Sequence, residues 1–198
     1  MSENVSYVIK DGIARVTLDA AGESVNILNA AFLDELETVG RQLGREENLL
    51  GAVVSSGKKS GFIAGADIQA IEKIEDAERG MELAREGQQI FQLWADLPFP
   101  VVAAVNGHCM GGGTEFILAC DYRIAAEDAA ISLPEVKLGI FPGFGGTQRL
   151  PRLISIEKSL DIILKGRTVR AGEALGCGLV DRLAAAESLT RDAETLLR

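Results

Sequence analysis

Residues 101–105, VVAAV, form an uninterrupted apolar run of strand length. The eight residues after them, NGHCMGGG, carry four glycines, and the apolar segment TEFILAC follows at 114–120. Strand, glycine loop and helix in that order form a unit that must bury apolar surface on both sides of a sharp backbone break. The rest of the chain has the same rhythm. IARVTLD at 13–19 alternates apolar and polar residues with β-branched content, as a half-buried strand does, and AAGES after it is a turn. From Asn29 to Leu43 the apolar residues Phe32, Leu33, Leu36, Val39 and Leu43 recur at helical spacing, opposite Asp34, Glu35 and Glu37.

GAVVSS at 51–56 is a short buried strand, and the loop GKKSGFIAGAD follows it. A long helix is expected over 68–96, stopped by Pro98 and Pro100. Further strands are expected at Tyr122–Ala125 and Ala130–Leu133, around the turn Glu127-Asp128. FPGFGGTQRLP is read as a Gly/Pro loop, Ile154–Leu164 as a helix and Ala171–Leu175 as a shorter one. Strands and helices alternate throughout, so the fold class is α/β.

A chain of 198 residues allows one substantial domain, and 47% hydrophobic with 25% charged residues are the proportions of a globular protein rather than a disordered or collagen-like one. Twenty Lys and Arg against 29 Asp and Glu give a net charge of −9, and the longest basic cluster is the pair Lys58-Lys59. That balance argues against nucleic acid as a partner, since phosphate neutralisation needs a basic face. The three cysteines, Cys109, Cys120 and Cys177, have neither disulfide-framework nor zinc-site spacing, which fits a reducing compartment. The first residues lack a signal-peptide h-region and no window reaches the length of a membrane span, so the expectation is a cytoplasmic protein.

Many of the 22 glycines lie in three loops, 57–65, 107–113 and 143–146. Such loops serve as turns with positive φ, or they bring backbone N–H groups close to a ligand and form an anion hole. GHCMGGG is not GxGxxG, and GxxxxGK[ST] is absent, which removes the main support for nucleotide hydrolysis. The sole histidine, His108, stands without a GxSxG elbow, so a serine hydrolase is disfavoured. Glu115 falls in the first turn of an otherwise apolar helix, and Glu135 lies in LPEV beside a strand end. Glu115 could complement a helix N-terminus, and Glu135 could be a solvated loop residue. Together, two acids in apolar company are what acid/base chemistry on one small molecule requires.

Four blocks in order, FIAGADI at 62–68, NGHCMGGGTE at 106–115, LPEVKLG at 133–139 and PGFGGTQRL at 142–150, closely resemble the enoyl-CoA hydratase/isomerase (crotonase) family. The resemblance is strongest to the amino-terminal hydratase part of multifunctional fatty-acid oxidation enzymes. It implies a spiral of repeated ββα units, usually trimeric when free-standing. It also implies an oxyanion hole from the backbone N–H groups of Ala66 and Gly112, paired catalytic carboxylates at Glu115 and Glu135, and adenine-binding backbone at Ala64, Gly65 and Ala66. The implied reaction is hydration of 2-enoyl-CoA to 3-hydroxyacyl-CoA, with 3-enoyl to 2-enoyl isomerisation open to the same pair. In this reading Glu135 is the protonated donor and Glu115 the water-activating base. Lys58 and Lys59 are the nearest cations for coenzyme A phosphates. The substrate is the thioester itself, with no metal or redox cofactor.

Two rivals remain at this point: another acyl-CoA reaction on the same scaffold, and a non-catalytic module binding acyl-CoA or a protein. Residues 1–198 are read as one crotonase-like domain, incomplete at its carboxy terminus because LTRDAETLLR ends within a helix while family members continue. A 3-hydroxyacyl-CoA dehydrogenase domain and homo-oligomerisation are then expected of the longer protein.

Overall fold

A computed structural model describes residues 4–198. In chain order the elements are β1 (Val5–Lys10), β2 (Ile13–Leu18), α1 (Ala30–Leu43), β3 (Gly51–Ser56), β4 (Gly61–Ile63), α2 (Ile68–Glu72), α3 (Ala77–Ala95), β5 (Val101–Val105), β6 (His108–Met110) and α4 (Gly112–Ile117). Then come β7 (Tyr122–Ala126), β8 (Ala130–Ser132), a 3-10 turn (Glu135–Leu138), α5 (Gly146–Leu153), α6 (Ile156–Lys165), β9 (Thr168–Arg170), α7 (Ala171–Cys177), β10 (Arg182–Ala184) and α8 (Leu189–Thr195). One sheet has the order β1-β2-β3-β5-β7-β10 and the other β4-β6-β8-β9. Apart from the β1–β2 and β8–β9 pairs, neighbouring strands are parallel. The pairs β3/β4, β5/β6 and β7/β8 each give their first strand to the larger sheet and their second to the smaller, and helical structure follows. This is the ββα repeat implied by the family resemblance.

The all-apolar VVAAV strand has a simple cause. Val54, Ala103, Val105 and Ala125 face the main core, whereas Val53, Val102, Ala104 and Ile124 face a second cluster closed by Leu189 and Ala193 of α8. A strand covered on both faces has no solvent side to carry polar residues. At the sheet edge, Asp11 (φ 53°) and Gly12 (φ 75°) both adopt positive φ, the requirement of a two-residue hairpin turn, and return β1 onto β2. Among the described residues, no helix is long and apolar enough to cross a membrane.

Several local expectations need correction. The helix expected over 68–96 is two helices: Asp76 interrupts it by capping α3, its side chain accepting from the Arg79 N–H at 2.7 Å. The strands β1, β4, β6, β9 and β10 went unread, four of them because three residues are too few to set up an alternation, and β1 because Val8 and Ile9 are exposed on an edge. Residues 146–151 of the stretch read as a Gly/Pro loop belong instead to α5. Pro151 stands near the end of this eight-residue helix and offers no N–H to the Thr147 carbonyl one turn before it.

Candidate active site

The smaller sheet sets the site. Its parallel strands β4, β6 and β8 lie side by side, and their C-terminal ends lead into residues 64–66, residues 111–113 and Glu135 respectively. A bridge to Leu28 orients the first loop. The Leu28 N–H donates to the Gly65 carbonyl at 2.9 Å and the Asp67 N–H donates to the Leu28 carbonyl at 3.3 Å, which turns the N–H of Ala66 to the opposite side. That N–H has no acceptor among the described residues. The same holds for Gly112, the first residue of α4.

The two loops abut. A methyl group on Gly111 (φ 53°) would lie 3.6 Å from Gly65 Cα and 3.4 Å from Glu135 Oε1, so the 65–66 loop, the start of α4 and one carboxyl group meet at one point. Thr114 fixes this arrangement from below, its hydroxyl donating to the Ser132 carbonyl at 2.7 Å across the β6–β8 junction. Glycine is required at 113 because a side chain would strike Ile63, 2.6 Å from its Cβ and 2.8 Å from its carbonyl oxygen. At 112 the constraint is likewise packing: a Cβ would meet Leu28 Cδ1 at 2.7 Å.

The second carboxyl group is buried on α4. Glu115 is 2% exposed, and its Oε1 accepts from the Phe144 and Gly146 N–H groups, both at 2.8 Å. Gly146 permits that approach, since a Cβ there would sit 3.1 Å from the same oxygen. Burial pushes the Glu115 carboxyl up from 4.5 to about 7; the Gly146 N–H opposes this, the Glu135 charge adds to it, and the N–H groups of Phe144 and Gly145 oppose it. Burial also raises Glu135, against the pull of its own backbone N–H, and its Oε2 is buried with no hydrogen-bond partner among the described residues.

Of the other candidates, Ala64 is partly exposed, with its N–H donating to Asn26 O at 2.8 Å, while Gly65 is buried with φ 110°. Lys58 stands apart from the role expected of it. Its Nζ sits 2.6 Å from Asp19 Oδ1 and donates to the Ala20 carbonyl at 2.7 Å, so its charge ties two loops together. Lys59 is exposed and forms no ion pair among the described residues. Among those residues, no group of three or more His, Cys, Asp or Glu side chains could hold a metal ion. Sequence reasoning missed the Phe144 and Gly146 donors, Thr114 and the Leu28 bridge. The only available signal was a third glycine loop placed just ahead of what proved to be a helix.

Comparison with known proteins bears on the family and the fold. A family model described as enoyl-CoA hydratase/isomerase matches residues 8–198. The fatty acid oxidation complex subunit alpha of Vibrio vulnificus is 47% identical over 186 residues, covering 91% of this chain and 26% of that protein. The subunit of the same name from Vibrio cholerae is 48% identical over 171 residues, covering 85% and 24%. The chain thus spans about a quarter of the length of the curated relatives it matches. Among solved structures, an enoyl-CoA hydratase from Bacillus anthracis superposes with a TM-score of 0.91 at 35% identity, over 98% of this chain and 75% of that one. Pseudomonas aeruginosa DspI gives 0.91 at 31% identity, over 99% and 74%. With four sequence blocks, the ββα repeat and these matches in accord, the chain belongs to the enoyl-CoA hydratase/isomerase family.

Proposed function

We propose that this chain adds water to 2-enoyl-CoA thioesters to give 3-hydroxyacyl-CoA. The observation that supports the reading is that the 65–66 loop and the start of α4, each with a backbone N–H that has no acceptor among the described residues, abut beside Glu135, with Glu115 buried one turn into α4. Conjugate addition places negative charge on the thioester oxygen, and donors fixed in advance stabilise it without reorganising; losing one such donor costs about 2.7–4 kcal/mol in comparable sites. Backbone donors persist whatever side chains surround them.

Hydrogen bonding supports a division of roles between the two acids. Burial raises both carboxyls above the free value, and the Glu135 charge adds to the rise at Glu115. Glu115 has N–H donors that favour its charged form, whereas the partnerless Glu135 Oε2 is costly to leave ionised. Glu115 is therefore the base that takes a proton from water as its oxygen attacks the β-carbon. Glu135 delivers its proton to the α-carbon. Ala64 to Ala66 receive the adenine end of coenzyme A, the Ala64 carbonyl having no donor among the described residues. No electron transfer occurs in the reaction, so the reading calls for no redox group.

The product of such a hydration is the substrate of a 3-hydroxyacyl-CoA dehydrogenase, and the curated relatives are long enough to include one. The test is loss of enoyl absorbance with crotonyl-CoA and with a longer 2-enoyl-CoA, using wild type and Glu115→Gln. Turnover by wild type and none by the variant is expected. Unchanged turnover in the variant would remove Glu115 from the mechanism.

A further inference from the structure

Helix α3 lies outside the constellation just described, yet one of its faces is pressed against the loop that holds Glu115. Gln88 Nε2 donates to the Gly143 carbonyl at 2.7 Å. One residue earlier, Gly87 packs so closely on the Phe144 ring that a Cβ there would stand 2.4 Å from two ring carbons. Phe91, one turn further on, meets the same ring edge-on with centroids 5.5 Å apart. The peptide between Gly143 and Phe144 is thus gripped at its carbonyl end by Gln88 and at the ring beyond it by Gly87 and Phe91. The N–H of that same peptide points at Glu115 Oε1. A trans peptide is planar, so holding its carbonyl fixes the direction of its N–H.

We infer that Gln88 and Gly87 are positioning residues for Glu115: by fixing the plane of the Gly143–Phe144 peptide, they aim its N–H at the Glu115 carboxyl. Glycine in the middle of a 19-residue helix carries a cost of about 1 kcal/mol against alanine. Its presence at 87 is explained by the ring that would otherwise be displaced.

The direction of the effect follows from the donor. An N–H bonded to a carboxylate favours ionisation, so releasing the peptide raises the protonation midpoint of Glu115. The titratable or charged groups on elements packed against α4 are Glu135 on the 3-10 turn, Arg149 and Arg152 on α5, His108 and Cys109 on β6, and the buried Arg123 on β7, which donates to the Ile117 carbonyl; β4 has none, and Arg85 and Glu86 on the neighbouring stretch of α3 are exposed. Gln88→Met leaves all of them in place and keeps the length of the side chain. Gly87→Ala moves the ring rather than the carbonyl, which makes it an independent perturbation of the same peptide.

The experiment is a carbon-13 NMR titration of glutamate side-chain carboxyls in the full chain, with the Glu115 signal assigned by its loss in Glu115→Gln. In Gln88→Met the Glu115 midpoint is expected to rise by about half to one pH unit, the effect of one net hydrogen bond, and in Gly87→Ala it should rise as well. A midpoint that stays put or falls in Gln88→Met overturns the inference. The kinetic counterpart rests on the hydratase reading: the acidic limb of the kcat/KM profile moves up with the midpoint, and activity recovers at higher pH. A midpoint that rises in a protein without hydration at any pH would sink the hydratase reading and support this inference, so the two can fail separately.

Discussion

Glu115→Gln should abolish turnover and at the same time stabilise the fold. The carboxyl is buried, and a rise from 4.5 in the free group to about 7 in the folded protein corresponds, at about 1.4 kcal/mol per pH unit, to about 3 kcal/mol. Below pH 4.5 the group is neutral in both states and contributes nothing to the balance. Between 4.5 and about 7 the unfolded chain ionises while the folded one resists, so stability falls as pH rises; above about 7 the full cost is present. Glutamine retains the Oε1 acceptor for Phe144 and Gly146, removes the buried charge and ends the repulsion with Glu135. The expected gain is therefore about 3 kcal/mol at pH 8, on the order of 6–12 °C in Tm for a chain of this size, and only a small part of that at pH 5. Urea unfolding followed by the fluorescence of Trp94, the single and fully buried tryptophan, measures it at both pH values. A variant no more stable than wild type at pH 8, or equally stabilised at pH 5 and pH 8, would refute the reasoning.

Glu135→Gln is expected to lower kcat by about 10²–10⁴, the usual worth of a general acid, while calorimetric affinity for a saturated acyl-CoA stays nearly constant. Gly113→Ala forces a methyl against the Ile63 carbonyl and should destabilise the fold by about 1–3 kcal/mol in urea unfolding, because backbone cannot move aside as a side chain can. Lys58→Met breaks a partly exposed ion pair with Asp19, so a stability loss of up to about 1 kcal/mol with unchanged KM is expected. Lys59→Met should raise KM at low ionic strength and leave kcat alone, and a KM insensitive to both lysines would take coenzyme A phosphate binding away from this loop.

How much was legible in the sequence divides along physical lines. Periodicity found α1, β2, β3 and β5 because their apolar positions answer to a large core. It missed β4, β6 and β9, whose pairing partners lie far along the chain and whose three residues set up no pattern. Glu115 and Glu135 stood out from their apolar company. The donors that hold Glu115 did not, since Phe144 and Gly146 act through backbone N–H groups that no side chain announces. Lys58 shows the reverse failure. A lysine beside a glycine loop suggests a phosphate contact, and only the three-dimensional approach of Asp19 reveals a charge already engaged.

The short strands explain why such a site tolerates costly groups. Each of β4, β6 and β8 ends almost as soon as it begins, so the backbone just beyond each is free of the ladder and can turn its N–H groups inward. The β6–β8 pairing nevertheless fixes the spacing between those ends. Glycine at 146 then leaves room for the Glu115 carboxyl oxygen, 3.1 Å from where a Cβ would stand, and glycine at 111 supplies the positive φ of 53° that brings the start of α4 beside Glu135. The donors to the Glu115 carboxyl and the two unengaged N–H groups are all backbone, whereas the buried acids are side chains. Substitution can therefore remove the destabilising acids one at a time without dismantling the amides that surround them, which is why the loss of activity and the gain of stability in Glu115→Gln should appear together in one folded protein.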